Sequence, residues 1–215
     1  MVIWMLWKNR NDGIWNGKQL MPQDLLIRTE GWLQEYHKWH KSGTKKSMKV
    51  QQKWQRPGVD WVRCNFDGAW IQQGSRGGFR AVLRDHLGDF VAAVAGPLGW
   101  TGSAFHAELC AAQHALLLAQ SYCPDGKRIS FEGDSNLVMA AMKGKEDDRS
   151  PLGNIINDLR FMLQSFPGSE VSLVQRGYNS AAHRLARLGL GSTHQIGWCE
   201  NPPDLLRDIL FEESL

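Results

Sequence analysis

The order in which strand-like and helix-like segments follow one another constrains the fold of this chain more than any other feature. Residues 61–67 alternate between apolar and polar side chains, and this period of two is typical of a strand. Glycines in GGFRAVLRD (77–85) and a turn at 86–88 then separate a second strand from a third at 89–96. Three strands joined by such short turns predict an antiparallel meander.

The second half of the chain alternates between helices and strands. A long helix with one apolar face is predicted over 102–122, and strands at 128–134 and 170–176 each follow a helical segment. The remaining predicted helices are 135–144, 151–166 and 179–190. Strands joined by a helical crossover run parallel. We therefore predict an α/β fold with a mixed five-stranded sheet, three antiparallel strands and then two parallel ones, and helices on both faces.

Composition divides the 215 residues into four parts. Residues 59–190 hold the predicted sheet, and 191–215 form a C-terminal tail. Residues 1–40 are a tryptophan-rich helical appendage whose aromatic side chains have nothing of their own to cover them, which indicates a protein partner. Residues 41–58 form a basic linker that carries six lysines and arginines and no acid. Both a solvated linker and an arm that attracts nucleic acid fit this composition.

Bulk composition excludes several classes of protein. With 42% hydrophobic and 22% charged residues the chain is expected to be globular. Its four cysteines form no C-x-x-C pair, so neither a zinc knuckle nor a disulfide framework is predicted, and a reducing compartment fits best. The apolar opening MVIWMLW is too short to span a bilayer and lacks a cleavage site. We expect an intracellular protein without a membrane partner, and the sequence leaves nucleus and cytoplasm both open.

Three carboxylates stand where such a fold forms a ligand crevice. Asp67 ends the first strand, Asp134 ends the fourth, and Glu108 lies beside the apolar stripe of the long helix with no basic side chain three or four residues away. Clustered carboxylates raise one another's pKa unless a cation neutralises them, and their hard oxygens suit Mg²⁺ or Mn²⁺. Each residue also has an ordinary explanation, as a turn residue, a helix cap and a solvated helix face respectively.

Five stretches of the chain, taken in order, resemble the ribonuclease H superfamily, in particular the ribonuclease-H-like domain of plant non-LTR retroelement proteins and their domesticated relatives. The stretches are VRCNFDGAW (62–70), GGFRAVLRDHLGDF (77–90), FHAELCAAQHAL (105–116), FEGDSNLVMAAM (131–142) and VQRGYNSAAHRLARLG (174–189). The resemblance covers about residues 59–190. The N-terminal WMLWKNRNDGIWNGK also resembles the segment that precedes this domain in plant reverse-transcriptase polyproteins.

The resemblance implies an endonuclease that hydrolyses RNA in RNA–DNA hybrids. It makes Asp67, Glu108 and Asp134 catalytic residues that hold two divalent ions, Mg²⁺ with Mn²⁺ as the alternative. The family's fourth carboxylate falls in an Asn-x-x-Ala-Asp-x-Leu-Ala pattern, where this chain reads NSAAHRLA, so His183 takes the place of the acid. Because Mg²⁺ prefers oxygen, we expect the second ion to bind weakly and the activity to be low.

Two further residues complete the candidate site, Arg176 and Asn179, which are the predicted nucleic-acid-binding residues. Arg176 can reach a phosphate or form a salt bridge, and Asn179 is expected to cap the last helix. Three functions remain open at this stage. They are a metal-dependent ribonuclease H, a nucleic-acid-binding module of the same fold with impaired catalysis, and a protein-interaction domain that uses the tryptophan-rich appendage.

Overall fold

The computed structural model describes residues 2–22, 24, 54–123, 126–185 and 192–214, and the chain forms two compact units, Met1–Val50 and Gln51–Leu215. In the first unit, helix α1 spans Val2–Asn16. The Asn9 side chain donates to the carbonyl of Leu20 (3.2 Å) and accepts from its N–H (2.8 Å), so the chain turns back along the helix after Asn16. The second half of the predicted helical appendage and most of the basic linker lie outside the described residues.

The second unit is built on a mixed six-stranded sheet with the order β5-β4-β1-β2-β3-β6. The strands are β1 (Trp61–Ile71), β2 (Arg76–Arg84), β3 (Phe90–Trp100), β4 (Arg128–Gly133), β5 (Glu170–Leu173) and β6 (Ile196–Cys199). Strands β1, β2 and β3 are antiparallel, whereas β4 runs parallel to β1 and β5 runs parallel to β4. The predicted mixed α/β fold is confirmed.

The helices of this unit follow the strands in the predicted order. They are α2 (Ala104–Tyr122), α3 (Asn136–Lys143), α4 (Gly153–Leu163), α5 (Ser180–Arg184), which a 3₁₀ turn at Arg176–Asn179 precedes, and α6 (Asp204–Ser214). Helix α2 begins at the Ser103 cap, whose hydroxyl oxygen accepts from the N–H of His106 at 3.1 Å. None of the described helices is long and apolar enough to cross a membrane.

The prediction of five strands is wrong by one. Strand β6 pairs antiparallel with β3, from Ala92 opposite Cys199 to Ala95 opposite Ile196. Without β6, strand β3 would be an edge strand with a row of unpaired backbone N–H and C=O groups, and the chain end covers that row. The four-residue strand is too short to show a clear period in the sequence. Strand β5 is also shorter than predicted and ends at Leu173, before the 3₁₀ turn.

The two faces of the sheet are chemically different. One face packs a large apolar core against α2, α3 and α4, with Phe66, Leu109 and Phe131 fully buried. The other face packs a smaller apolar cluster against α5 and α6. Side chains alternate along β1, so Asn65 and Asp67 lie on the second face, opposite to Phe66. The buried polar residues of the sheet are therefore collected under α5 and α6.

Trp54 belongs to this second unit although its neighbours are basic linker residues. Its side chain is 4% exposed, and its indole N–H donates to Asn65 at 3.2 Å. The Arg84 guanidinium lies 3.5 Å from the centre of the indole ring and forms an ion pair with Glu213 of α6. The segment around residue 54 and the C-terminal helix thus meet in one buried polar network, while the four-part division of the chain stays a prediction.

Candidate metal centre

Asp67, Glu108 and Asp134 meet at one end of the sheet. One carboxylate oxygen from each residue lies within 4.8 Å of the other two. Strand β1 pairs with its parallel neighbour β4 up to Asn65, and Asp67 lies just beyond this point, level with the end of β4. The sequence places Asp67 at the end of its strand, but β1 continues to Ile71 in the hairpin with β2. The Asp67 carboxylate thus lies at the point where the pairing between β1 and β4 ends.

Glycine at position 68 allows Glu108 to reach this point. The N–H of Gly68 donates to Glu108 Oε2 at 3.1 Å. A Cβ atom on Gly68 would lie 2.5 Å from the carbonyl carbon of Ala107 and 2.5 Å from the backbone nitrogen of Glu108, closer than atoms can approach. The Asp-Gly pair therefore brings the first turns of α2 against β1, and the Glu108 side chain points to the strand instead of solvent.

The pKa values of the cluster report carboxylates that repel one another. Burial, followed by the charge of Asp67, raises the pKa of Glu108 to about 8, and the charge of Asp134 acts in the same direction. Burial and Asp67 also raise the pKa of Asp134, while Arg176 and His183 oppose the increase. Asp134 is not the cap of α3, since Ser135 holds that position. Three close carboxylates of this kind form a donor set that fits a hard divalent cation.

His183 lies beside Asp67, with Nδ1 2.9 Å from Asp67 Oδ2 and Nε2 3.4 Å from an amino group of Arg176. Arginine offers only donors, so Nε2 is the acceptor, and Nδ1 carries the proton and donates to Asp67. This tautomer is assigned from its hydrogen-bond partners. Both ring nitrogens are engaged, and in this arrangement neither presents a lone pair to a metal ion.

Arg80 is a member of the site that the sequence reasoning missed. It lies on β2 directly opposite Asp67, its Nε donates to Asp67 Oδ2 at 2.8 Å, and its Nη2 contacts the same oxygen. Arg80 is 2% exposed and Asp67 4%. The sequence holds a signal for it, because an arginine within the apolar strand GGFRAVLRD needs a buried acidic partner, and the hairpin register supplies Asp67.

The two predicted nucleic-acid-binding residues have different surroundings. Arg176 lines the cleft above the carboxylates. Asn179 is 1% exposed and its amide donates to the carbonyl of Phe66 at 2.8 Å, so this burial argues against the predicted contact with nucleic acid. Asn179 holds the N-cap position of α5 but makes no side-chain cap hydrogen bond: its amide donates to β1, and its Oδ1 is buried without a hydrogen-bond partner. It ties α5, and with it His183, to the strand that carries Asp67.

The carboxylates lie in an open cleft of about 590 Å³. Apolar side chains of Trp70, Phe105 and Leu137 line it together with the charged residues. The cleft therefore combines an acidic centre, the arginines at positions 80 and 176, and apolar surface. This arrangement can hold a divalent cation next to the backbone of an extended ligand.

Comparisons with known proteins agree with this geometry. A family model described as Reverse transcriptase-like matches residues 65–189, more than half of the chain. Across 221 aligned residues, which cover the whole chain, the sequence is 25% identical to a protein of Arabidopsis thaliana that is named a ribonuclease H protein. The chain spans 35% of the length of that relative.

Solved structures of ribonucleases H share the fold. Ribonuclease H1 from the halophilic archaeon Halobacterium salinarum is 29% identical, with a TM-score of 0.54 over 60% of this chain and 97% of that one. The N-terminal ribonuclease H domain of a Mycobacterium tuberculosis protein is 22% identical, with a TM-score of 0.53 over 62% and 94%. A ribonuclease H1 solved in complex with an RNA/DNA hybrid is 18% identical, with a TM-score of 0.53 over 60% and 96%. The last two likenesses show the fold alone.

Proposed function

This chain belongs to the Reverse transcriptase-like family and carries a ribonuclease-H-like domain, and from that premise we propose that it is a divalent-metal-dependent endonuclease that hydrolyses RNA in RNA–DNA hybrids. The observation that carries the proposal is the convergence of Asp67, Glu108 and Asp134, whose ligand oxygens lie within 4.8 Å of one another. Asp67 lies within β1, Glu108 on α2 and Asp134 directly after β4, and these positions are far apart in the sequence. Family membership and site geometry thus support the same chemistry.

The three carboxylates would hold Mg²⁺ or Mn²⁺, which when bound polarises the scissile phosphate and the attacking water. Glu108 holds a proton near neutral pH in the metal-free protein, because its pKa is raised to about 8. It must release this proton to act as a ligand, and the N–H of Gly68 then fixes one of its oxygens. His183 orients Asp67 through its Nδ1 proton.

The proposed substrate is a duplex of one RNA strand and one DNA strand. A fold neighbour has been solved with an RNA/DNA hybrid, which supports the same substrate for this chain. Arg176 stands at the cleft and is the residue that we assign to a phosphate. Recognition through phosphates and ribose 2′-hydroxyls reads strand type and shape and not base sequence. The family and the Arabidopsis relative support a plant protein related to retroelements, and a retroelement fragment and a host-adopted relative both fit.

We expect the activity to be low and stronger with Mn²⁺ than with Mg²⁺. His183 stands where the family has a fourth acid, and it contributes no negative charge as a neutral imidazole. Mn²⁺ tolerates nitrogen close to its site better than Mg²⁺ does.

A second candidate is a nucleic-acid-binding module of the same fold with impaired catalysis. The observation that favours it is the engagement of Asp67 by Arg80 and His183, which removes acceptor capacity from the central carboxylate. Both functions place nucleic acid in the cleft, and they differ in turnover alone.

A cleavage assay with a labelled RNA–DNA hybrid distinguishes the two. We expect cleavage of the RNA strand in Mn²⁺, less in Mg²⁺, and none in EDTA, with no cleavage of single-stranded RNA or duplex DNA of the same sequence. Asp67→Asn should abolish the cleavage, and activity that persists in this variant belongs to a contaminating nuclease. Hybrid binding without cleavage in either metal would favour the second candidate.

A further inference from the structure

Arg80 and Asp67 are direct partners across the β1–β2 hairpin. Side chains opposite each other in an antiparallel pair lie on the same face, about 5 Å apart at Cβ, so opposite charges at these positions meet. Both side chains are buried, and a guanidinium does not lose its charge at any pH that a protein tolerates. Arg80 therefore keeps its positive charge beside Asp67 as long as the hairpin holds its register.

The contacts that Asp67 makes with Arg80 and His183 all fall on one of its two oxygens. Oδ2 is contacted by Nε and Nη2 of Arg80 and by Nδ1 of His183. A carboxylate oxygen has two lone pairs, so these three nitrogens already exhaust the acceptor capacity of Oδ2. A site that holds two divalent ions about 4 Å apart needs carboxylate oxygens for both ions.

Asp67 is the carboxylate at which a loss of acceptor capacity has the largest effect. Its charge raises the pKa of both Glu108 and Asp134, so it interacts with both of the other carboxylates. Only its Oδ1 is left for a metal ion. The Arg80 guanidinium also lines the cleft, where its charge repels a second cation.

Arg84 shows what an ordinary buried arginine of this strand does. It lies four residues further along β2 on the same face and is 1% exposed. Its partners are Asn65, at 2.8 Å, and Glu213. It does not line the cleft of the three carboxylates. An arginine can thus be buried on this face without contact to the acidic cluster, and Arg84 serves as a control for Arg80.

We propose that Arg80 is an internal cation that occupies Oδ2 of Asp67 and limits the acidic cluster to a single divalent ion. The inference rests on the proposed function in one respect, that the cluster binds divalent cations. It extends that function because it assigns an ion count to this chain and names the residue that sets it. Arg80 is a positioning residue here and not a catalytic one.

The test counts Mn²⁺ ions on the full chain by electron paramagnetic resonance and isothermal titration, with Mn²⁺ alone as the probe. We expect one ion on the wild-type protein. Arg80→Met, which removes the charge and both donors at similar volume, should bind a second ion and bind the first at least tenfold more tightly. Its melting temperature in EDTA should be lower than that of the wild type and should rise more on addition of Mn²⁺.

Two matched variants isolate the cause. Arg80→Lys keeps the positive charge and should still bind one Mn²⁺ ion. Where Arg80→Met is too unstable to titrate, the ion count of Arg80→Lys is the measurement that tests the inference. A second ion on Arg80→Lys would overturn the inference. Arg84→Met removes an equally buried arginine from the same strand and face, and it should lose stability without a change in ion count.

The possible outcomes separate this inference from the proposed function. Two ions on the wild-type chain, or the same count and affinity in wild type and Arg80→Met, would overturn the role of Arg80 and leave a metal-dependent nuclease in place. Binding by Arg80→Met but not by the wild type would overturn the single-ion count, because Arg80 would then exclude both ions, and it would also contradict the proposed activity. Absence of Mn²⁺ binding in both proteins would overturn both.

Discussion

Asp67 accepts hydrogen bonds from Arg80 and His183. Its carboxylate also lies within 4.8 Å of two further carboxylates. An aspartate between a strand and a glycine reads at first as a turn residue. Its surroundings make it instead the centre of the site, because β2 supplies Arg80, α5 supplies His183, and α2 and β4 bring Glu108 and Asp134. Protein cations and a bound metal ion would therefore compete for the carboxylate oxygens of this one residue.

Replacement of His183 tests how much Mg²⁺-dependent cleavage is lost because the fourth acidic position holds a histidine. His183→Asp removes the donor on Oδ2 of Asp67 and adds an oxygen ligand at the same place. We expect Mg²⁺-dependent cleavage of hybrid to rise by about tenfold, the lower end of the effects seen when groups around a metal site are changed. His183→Asn, which removes the ring but adds no charge, is the control. An equal gain in both variants, or no gain in His183→Asp, would show that the fourth position does not limit the site.

Glu108 makes the stability of the metal-free protein depend on pH. Burial and then Asp67 raise its pKa from 4.5 to about 8. Between these pH values the folded chain keeps a proton that the unfolded chain has released, so the free energy of unfolding falls as pH rises. From pH 5 to 8 we expect a loss of roughly 3 to 4 kcal/mol, or about 6 to 16 °C in melting temperature in EDTA.

The control for this pH effect is Glu108→Gln, which binds no proton at position 108. Its melting temperature should fall less steeply over the same interval, although the raised pKa of Asp134 keeps a part of the slope. Equal slopes in the two proteins would show that Glu108 does not hold the proton. Because metal binding requires the ionised carboxylate, affinity for Mn²⁺ should rise with pH over the same interval.

At the scale of elements, the contact between β1 and α2 positions the site. Most of the fold could be predicted at this scale, because periods of two and 3.6 residues are local properties of the sequence. Strand β6 was missed because four residues carry little periodicity, and the unpaired edge of β3 that it covers exists only in the assembled sheet. The close approach of α2 to Gly68 was likewise not readable from spacing, since it depends on how the helix lies on the strand.

Gly68→Ala tests that close approach. The added methyl group meets the backbone of Ala107 and Glu108 at 2.5 Å, so α2 must move away from β1. We expect a loss of about 1 to 3 kcal/mol in the free energy of unfolding, measured in urea, together with loss of hybrid cleavage as Glu108 is displaced. Gly99→Ala is the matched control, because nothing lies within 4 Å of its added Cβ, and it should change stability by less than about 0.5 kcal/mol. Similar effects in both variants would contradict the steric explanation.

At the scale of the whole molecule, the residues after Gly191 belong to the same compact unit as the sheet. Strand β6 pairs with β3, and α6 contributes Leu206 and Ile209 to the apolar cluster on the second face. Glu213 of α6 pairs with buried Arg84. The first unit exposes Trp15 at 80% and Trp7 at 58% on α1, and a protein partner for these side chains stays a prediction.

Two truncations test this organisation. Residues 51–215 form a compact unit with their own core, and we expect this fragment to fold and to cleave or bind hybrid as the full chain does. A fragment of residues 1–191 loses β6 and α6, which unpairs the edge of β3 and removes Leu206 and Ile209 from the apolar cluster on the second face. We expect it to be unfolded or molten by circular dichroism and urea titration. A stable 1–191 fragment would show that the C-terminal segment is dispensable.

The sequence by itself determined the order and type of the elements and the mixed sheet, because periodicity is fixed by near neighbours in the chain. It also supplied the three carboxylates, but their approach to within 4.8 Å is a property of the tertiary structure. Only the tertiary structure decided what surrounds those carboxylates. Arg80 lies 13 residues from Asp67, His183 lies 116 residues from it, and Asn179 lies 113 residues from its partner Phe66. Contacts over such separations depend on hairpin register and helix packing, and these are set when the core closes and not by any local pattern.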